Sequence, residues 1–358
     1  MNRIITIVGA RPQFIKAATL SRQFKLLGVE ELIIHTGQHF DANMSDIFFN
    51  EMEIPKPVYH LDIHGLTHGA MTGRMLEEIE QILLKEKPDG VLVYGDTNST
   101  LAGALAASKL HIPVIHVEAG LRSHNMQMPE EINRIVTDRI SSILFCPTDA
   151  AVRNLQNEGF AQMPVQVIKN GDVMQDAAMY YATKAEEKSD ILYKINLPAF
   201  ILATVHRQEN TDSIDNLKNI INGLNEVNRK IPVIAPIHPR TRNILSQHNI
   251  APEFRLIDPV GYFDMIMLLK ACQMVITDSG GIQKEAFFFG KHCITLRNET
   301  EWVELVENEF NILVGNDTEK LLNAFYYLIP KKSDFSIDLY GNGQASEFAA
   351  KEIAKITF

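Results

Sequence analysis

The chain reads as an α/β protein of two Rossmann-like, doubly wound domains facing one cleft. Three observations predict this. Short apolar runs rich in β-branched residues recur along all 358 residues. Each ends in a turn bearing Gly, Asp or His and is followed by a helical stretch, the alternation that builds parallel sheets. The pattern then restarts near Ala199, and a chain of this length accommodates two domains.

Ile4–Val8 is the first strand. It stops at Gly9, and a helical pattern runs from there through Leu26. The Gly turn is not GxGxxG, so no NAD site is indicated. Leu32–Thr36 is the second strand, ending at Gly37-Gln38-His39. A helix is expected over Asn43–Met52. His64-Gly65-Leu66-Thr67-His68-Gly69 is a loop whose two histidines lack a third ligand, so it makes no metal site. Gly73–Lys87 is an amphipathic helix with Met75, Ile79, Ile82 and Leu83 on one face. Strands follow at Gly90–Tyr94, Pro113–Val117, Ile143–Thr148 and Val165–Ile168. Helices are expected over Leu101–Leu110 and from Pro129. The first domain thus shows about six strand–helix repeats.

A charged, helical crossing runs from Tyr180 to Lys194, and the polar stretch Lys184–Asp190 is the expected linker. The expected domains are residues 1–183 and 184–340, with 341–358 a closing helix able to cross back to the first domain. In the second domain, strands are expected at Ala199–Val205, Val233–Ile237, Phe254–Pro259, Met274–Ile276, Cys293–Arg297 and Asn311–Gly315. Helices begin at Ser213, Tyr262 and Gln283.

Apolar content of 46% supplies two sizeable cores, and a net charge of −10 argues against a nucleic-acid binder. Cys146, Cys272 and Cys293 are widely spaced and each sits beside apolar residues. That fits buried, reduced thiols in the cytoplasm and offers no zinc spacing. The N-terminus does not read as a signal peptide, and no apolar run reaches the length of a membrane span.

The stretch Thr277-Asp278-Ser279-Gly280-Gly281-Ile282-Gln283-Lys284-Glu285 joins strand to helix through glycines, a layout for holding phosphate on bare N–H groups. Glu285, one turn in, is suited to ribose hydroxyls. The alternative is a tight turn with Ser279 as an N-cap. His206 and His238 stand at other strand ends, and Arg11 and Lys16 follow the first strand. The first domain offers acids. Asp96 either lines a cleft or caps a helix. Glu118 is either used or paired with Arg122. Glu130 is either a functional acid or a complement to a helix dipole. Acids and a titratable His206 in one cleft suit proton transfer on a nucleotide-linked substrate.

The chain resembles the non-hydrolysing UDP-N-acetylglucosamine 2-epimerases almost end to end. The likeness is carried by Gly9-Ala10-Arg11-Pro12…Lys16, Gly37-Gln38-His39, Tyr94-Gly95-Asp96-Thr97, His116-Val117-Glu118-Ala119-Gly120-Leu121-Arg122, Pro129-Glu130-Glu131-Ile132-Asn133-Arg134, His206-Arg207, Thr277–Glu285 and Gly341-Asn342-Gly343-Gln344-Ala345. The resemblance implies a glycosyltransferase-B-type fold and interconversion of UDP-GlcNAc and UDP-ManNAc for cell-surface polysaccharide. UDP leaves as the C2 proton is removed, 2-acetamidoglucal forms, and UDP adds back with protonation on the other face. No cofactor or metal is implied.

Carried over by position, Asp96, Glu118, Glu130 and His206 are the catalytic group. Arg11, Lys16, His238, Ser279, Gly280, Gly281, Glu285 and Arg297 match UDP contacts. Gln38, His39 and an arginine near Arg74 belong, in many members, to a second, activating UDP-GlcNAc site. A homodimer is implied, with no nucleic-acid or membrane partner. Arg297–Glu304 departs from the common family pattern, and the Arg122–Pro129 segment is shorter than usual. With Gly37–Asp46 and His64–Gly69, these departures look like a branch acting on UDP-2,3-diacetamido-2,3-dideoxy-glucuronate for O-antigen synthesis. A glycosyltransferase, a hydrolysing epimerase and a nucleotide-sugar sensor are the competing classes, since a shared fold does not fix the reaction.

Overall fold

Strands buried on both faces run as near-continuous aliphatic segments, and this chain builds two sheets from such runs. The computed structural model describes residues 3–38 and 54–356. The Arg11 side chain, His39 and the helix expected over Asn43–Met52 lie outside the described residues. Two compact units form, one of Met1–Ala177 with Asp338–Phe358, the other of Ala178–Ile337.

The first unit's sheet holds seven parallel strands in the order β3-β2-β1-β4-β5-β6-β7. They are β1 (Arg3–Val8), β2 (Glu30–His35), β3 (Tyr59–His60), β4 (Gly90–Tyr94), β5 (Val114–Val117), β6 (Ile143–Cys146) and β7 (Gln166–Lys169). The helices are α1 (Arg11–Leu27), α2 (His68–Glu86), α3 (Asn98–Lys109), α4 (Pro129–Ile140) and α5 (Asp149–Asn157). Next comes α6 (Val173–Lys188), which starts in the first unit and ends in the second, and α15 (Ala345–Lys355) closes the first unit. Ile5, Ile7, Val91 and Val93 of the sheet pack with Met75, Ile79 and Leu83 of α2 and Ala102 and Ala106 of α3.

The second unit's sheet holds six parallel strands in the order β10-β9-β8-β11-β12-β13. They are β8 (Ile201–Thr204), β9 (Val233–Pro236), β10 (Arg255–Ile257), β11 (Met274–Thr277), β12 (Cys293–Thr295) and β13 (Asn311–Leu313). Its helices are α7 (Ile191–Ile195), α8 (Gln208–Thr211), α9 (Ile214–Asn228), α10 (Pro239–Gln247), α11 (Tyr262–Ala271), α12 (Gly280–Phe288), α13 (Val303–Glu307) and α14 (Thr318–Leu328). Alternation divides its strands between two cores. Ile201, Ala203 and Ile276 face Leu217, Ile220 and Leu224, while Leu202 and Val275 face Leu268 and Leu269.

Register sets which residues leave the sheets side by side. Tyr94 pairs with Val117, so Gly95-Asp96 and Glu118 exit adjacent strands together. Thr277 pairs with Thr204 and Thr295, so Asp278 exits between the ends of β8 and β12.

Several boundaries differ from the sequence reading. Helices α2, α3 and α12 begin at His68, Asn98 and Gly280, about a turn earlier than expected. Their first turns are polar or glycine-rich and resemble loop. The first sheet gains β3, two residues long, beyond the expected repeats. Lys184–Lys188, read as linker, is the last turn of α6.

The closing helix is tied to the first unit through Asp176. Its buried position on α6 lets the carboxylate accept from Ser346 N at 2.6 Å and Ala345 N at 3.2 Å. Gln344 at the N-cap position supplies no side-chain bond, so Asp176 satisfies N–H groups otherwise orphaned at a helix start. Asp176→Ala is expected to cost about 1–3 kcal/mol. Hydrogen exchange should speed across Ala345–Lys355 while β1 keeps its protection. Unchanged exchange in α15 would contradict the tie.

Candidate active site

In the first unit the acids gather at the carboxyl ends of β4 and β5. Asp96 does not cap α3. Thr97 does, accepting from Thr100 N at 3.2 Å, which leaves the Asp96 carboxylate to pair with Arg134 of α4. Asn133 Nδ2 donates to the Asp96 carbonyl at 2.9 Å, so α4 lies over this turn. Glu118 does not pair with Arg122. Its partner is Lys16, whose stem is buried in α1 and whose ammonium reaches the carboxylate. Arg122 turns instead to Asp138 at 2.7 Å and to Glu158 at 2.6 and 2.8 Å.

The Gly95 turn belongs to the same cluster. A Cβ there would lie 3.2 Å from both Glu118 Oε2 and Lys16 Nζ, and its φ of +62° favours glycine. Glu118 itself takes φ +69°, a conformation costly for a residue with a Cβ and characteristic of functional turns.

Glu130 is partly buried in the first turn of α4, one turn before Arg134. Among the described residues it makes no hydrogen bond or ion pair. Its neighbour Glu131 is the structural acid. Buried, it accepts from Ser123 N at 2.9 Å, Ser123 Oγ at 3.0 Å and His124 N at 2.9 Å, and pairs with Arg134 at 3.1 Å.

In the second unit, Asp278 organises the strand ends. It is fully buried and accepts from the N–H groups of His206 at 3.0 Å and Arg207 at 3.0 Å and from Asn210 Nδ2 at 3.1 Å. Its Oδ1 lies 2.9 Å from His206 Nδ1, so it fixes the ring and leaves Nε2 for exchange. Burial alone would raise this carboxyl. The His206 charge and bond, with the Arg207 N–H and Asn210, outweigh it and hold the carboxyl below its ordinary value.

Ser279 caps α12, accepting from Ile282 N, so the turn is at once a capped helix start and a glycine-lined one. A Cβ at Gly281 would meet nothing within 4 Å, so neither packing nor backbone explains its glycine. Glu285 is buried one turn further on. At the end of β9, His238 caps α10, its Nδ1 accepting from Arg240 N at 3.2 Å. Nε2 then carries the hydrogen and can donate. Arg297 pairs bidentately with Glu301 at 3.0 and 3.2 Å, both buried. That pair and Trp302 stand 3.8–4.0 Å from the Gly280 Cβ position, and Lys284 lies 3.8 Å over the Trp302 ring. The segment that departs from the common family pattern is therefore the wall of the α12 start.

Gln38 accepts from Ser99 N at 3.2 Å and Ser99 Oγ at 2.8 Å. Arg74 lines a separate cavity of about 400 Å³ with Leu61, Ile63, His64 and Leu66. All three cysteines are buried, and burial pushes the Cys272 and Cys293 thiols up to about 12.

The family model for UDP-N-acetylglucosamine 2-epimerase matches residues 25–354. The chain belongs to the UDP-N-acetylglucosamine 2-epimerase family. The UDP-2,3-diacetamido-2,3-dideoxy-D-glucuronate 2-epimerase of Pseudomonas aeruginosa is 55% identical over 99% of this chain and 100% of that protein. The UDP-N-acetylglucosamine 2-epimerase of Methanocaldococcus jannaschii is 44% identical over 96% of this chain and 97% of that one. Its crystal structure in complex with UDP-GlcNAc and UDP matches this epimerase with a TM-score of 0.92, covering 98% of this chain and 99% of that one at 43% identity. The Neisseria meningitidis enzyme bound to UDP-GlcNAc matches with a TM-score of 0.88 at 30% identity over 99% of this chain and all of that one. No described helix of this epimerase is long and apolar enough to cross a membrane.

Asp278, Arg134, Glu131 and His116 carry geometry that the sequence reading left without a role. Their signals were present. Asp278 and His116 are polar residues at or inside buried strands, where a partner is obligatory.

The Asp278 bonds carry a pH signature. A carboxyl held low in the folded chain contributes stability that is fully present above its unfolded value of about 3.9 and lost as the pH falls through the folded value. Asp278→Asn is expected to be less stable by about 3 kcal/mol near pH 7. Denaturant melts at about pH 3 should show a smaller deficit. An equal deficit at both pH values would contradict the assigned bonds.

Proposed function

We propose that this epimerase inverts C2 of a UDP-linked 2-acetamido sugar by elimination and re-addition of UDP. The observation that carries the reading is the pair of carboxylates, Asp96 and Glu118, leaving adjacent strands in the first unit. Each is held by a buried cation, Arg134 or Lys16. A reaction that takes a proton from one face of C2 and returns one to the other needs more than one acid–base group, and Glu130 and His206 complete the proposed set.

The second unit supplies most of the UDP contacts in this reading, and Arg11 of the first unit adds to them. The leaving UDP gains negative charge, which the N–H groups of Gly280 and Gly281, the Ser279 hydroxyl, the Nε2–H of His238 and Arg11 are suited to stabilise. Glu285 takes the ribose hydroxyls. Lys16 and Arg297 support the site through Glu118 and Glu301. A homodimer in the cytoplasm fits the family resemblance.

For the sugar, the 55% identity to the Pseudomonas aeruginosa enzyme favours UDP-2,3-diacetamido-2,3-dideoxy-glucuronate over UDP-GlcNAc. The test is incubation with each UDP-sugar in D₂O. Deuterium at C2 with the UDP linkage retained is expected, faster for the diacetamido-glucuronate. Free sugar with UDP release would identify a hydrolysing enzyme, and binding without exchange a sensor.

Asp96→Asn, Glu118→Gln and Glu130→Gln should each lower turnover by roughly 10²–10⁴-fold. Melting is measured beside turnover, because a loss matching the folded fraction would make that residue structural.

Gly281→Ala separates fold from binding. With open space around its Cβ, the variant should melt at or above the parent temperature, by up to about 1 kcal/mol of stability. UDP affinity by calorimetry should fall at least about tenfold if the backbone there must approach phosphate. Unchanged affinity would remove Gly281 from the site.

A further inference from the structure

His116 and Asp138 are completely buried in the first unit and take no part in the chemistry proposed above. His116 Nδ1 lies 2.7 Å from Asp138 Oδ1, and its Nε2 lies 2.7 Å from the Gly95 carbonyl oxygen. Both partners are acceptors. An imidazole satisfies two acceptors only when both nitrogens carry hydrogen.

The surrounding charges agree. Asp138 also accepts from Arg122, and Arg122 pairs with Glu158, so an imidazolium and a guanidinium balance two carboxylates. The Cys146 thiol on the neighbouring strand is pushed up by burial and by the Asp138 charge, and so stays neutral. Beside Gly95 stands the Lys16–Glu118 ion pair, itself balanced.

Gly95 immediately precedes Asp96, and His116 lies two residues before Glu118. Gly95, Glu118 and Gly120 all have left-handed φ, +62°, +69° and +78°. Glycine adopts this conformation freely, but Glu118 keeps it only where its surroundings over-determine it. The buried pair anchors the neighbouring backbone at two points. The ring holds the Gly95 carbonyl, while Asp138 Oδ2 accepts from Gly120 N at 3.2 Å.

We propose that His116, clamped by Asp138, is a positioning residue that fixes the turns presenting Asp96 and Glu118 to the substrate. It acts through the backbone and touches no reacting atom. The proposal rests on the assignment of Asp96 and Glu118 to the reaction.

The test uses the intact chain, C2 deuterium exchange of the accepted UDP-sugar and UDP calorimetry. His116→Gln can donate to one acceptor only. It is expected to lower kcat about 10²-fold, the usual result of a misplaced catalytic group, with KM and UDP affinity held within about twofold. The double variant with Asp96→Asn should fall no further than Asp96→Asn alone, because both changes disable one unit. Losses that multiply, or a fall in UDP affinity that accounts for the whole effect, would overturn the proposal. Asp96→Asn at parental turnover would overturn the assignment beneath it instead.

A readout independent of how His116→Gln folds is the ¹⁵N spectrum of histidine-labelled protein. One ring should show both of its nitrogens protonated and hydrogen-bonded. Asp138→Asn, whose amide can donate to Nδ1, should convert that ring to a singly protonated one. No such ring, or one indifferent to Asp138→Asn, would overturn the proposal.

Discussion

A carboxylate removed from water is tolerable only when its charge is balanced and its lone pairs are filled. Each unit contains one fully buried aspartate that meets this condition by gathering strand ends. Asp138 draws in His116, Arg122 and the Gly120 amide, and through His116 the end of β4. Asp278 draws in the His206 and Arg207 amides just after β8 and, through Asn210, the Leu296 carbonyl after β12. In both cases the ligands include main-chain groups of the loops that bear the candidate site. Loop geometry there is a by-product of satisfying a buried charge.

The same condition explains why the surrounding acids are so densely paired. Asp96, Glu118, Glu131 and Glu301 each meet a cation that is itself largely out of water. Such pairs add little net stability compared with apolar packing. Their effect is to define where each oxygen points. The sheet brings the residues to one edge and the cations fix their orientation.

Much of the fold was legible because parallel strands buried on both faces are written as unbroken aliphatic runs. What escaped was decided by neighbours. β3 is two residues long and exists because β2 offers an edge, so no periodicity marks it. The polar Lys184–Lys188 resembled a linker, yet a helix continued through it. At the site, the strand-end residues were readable and their partners were not. Glu118 has an arginine four residues away, but its cation comes from Lys16, 102 positions distant in sequence. Arg122 had already been claimed by Asp138 and Glu158. Asp96 looked like a helix cap because it precedes a run of hydroxyl residues, and Thr97 does that work with a capping box of its own. Local spacing proposes a partner, and only the tertiary fold shows which competitor was closer.

The first unit is discontinuous in sequence, being closed by α15 at the far end of the chain. Ala349, Ala350 and Ile353 are wholly covered, and α15 lies against α1. A ribosome therefore releases α1 early but cannot complete its covering until the entire second unit has been made. During that interval the nascent first unit has an uncovered apolar face on the helix that follows β1, the kind of surface chaperones bind. A message truncated after the second unit would yield a protein with both sheets encoded and the older half still unfinished.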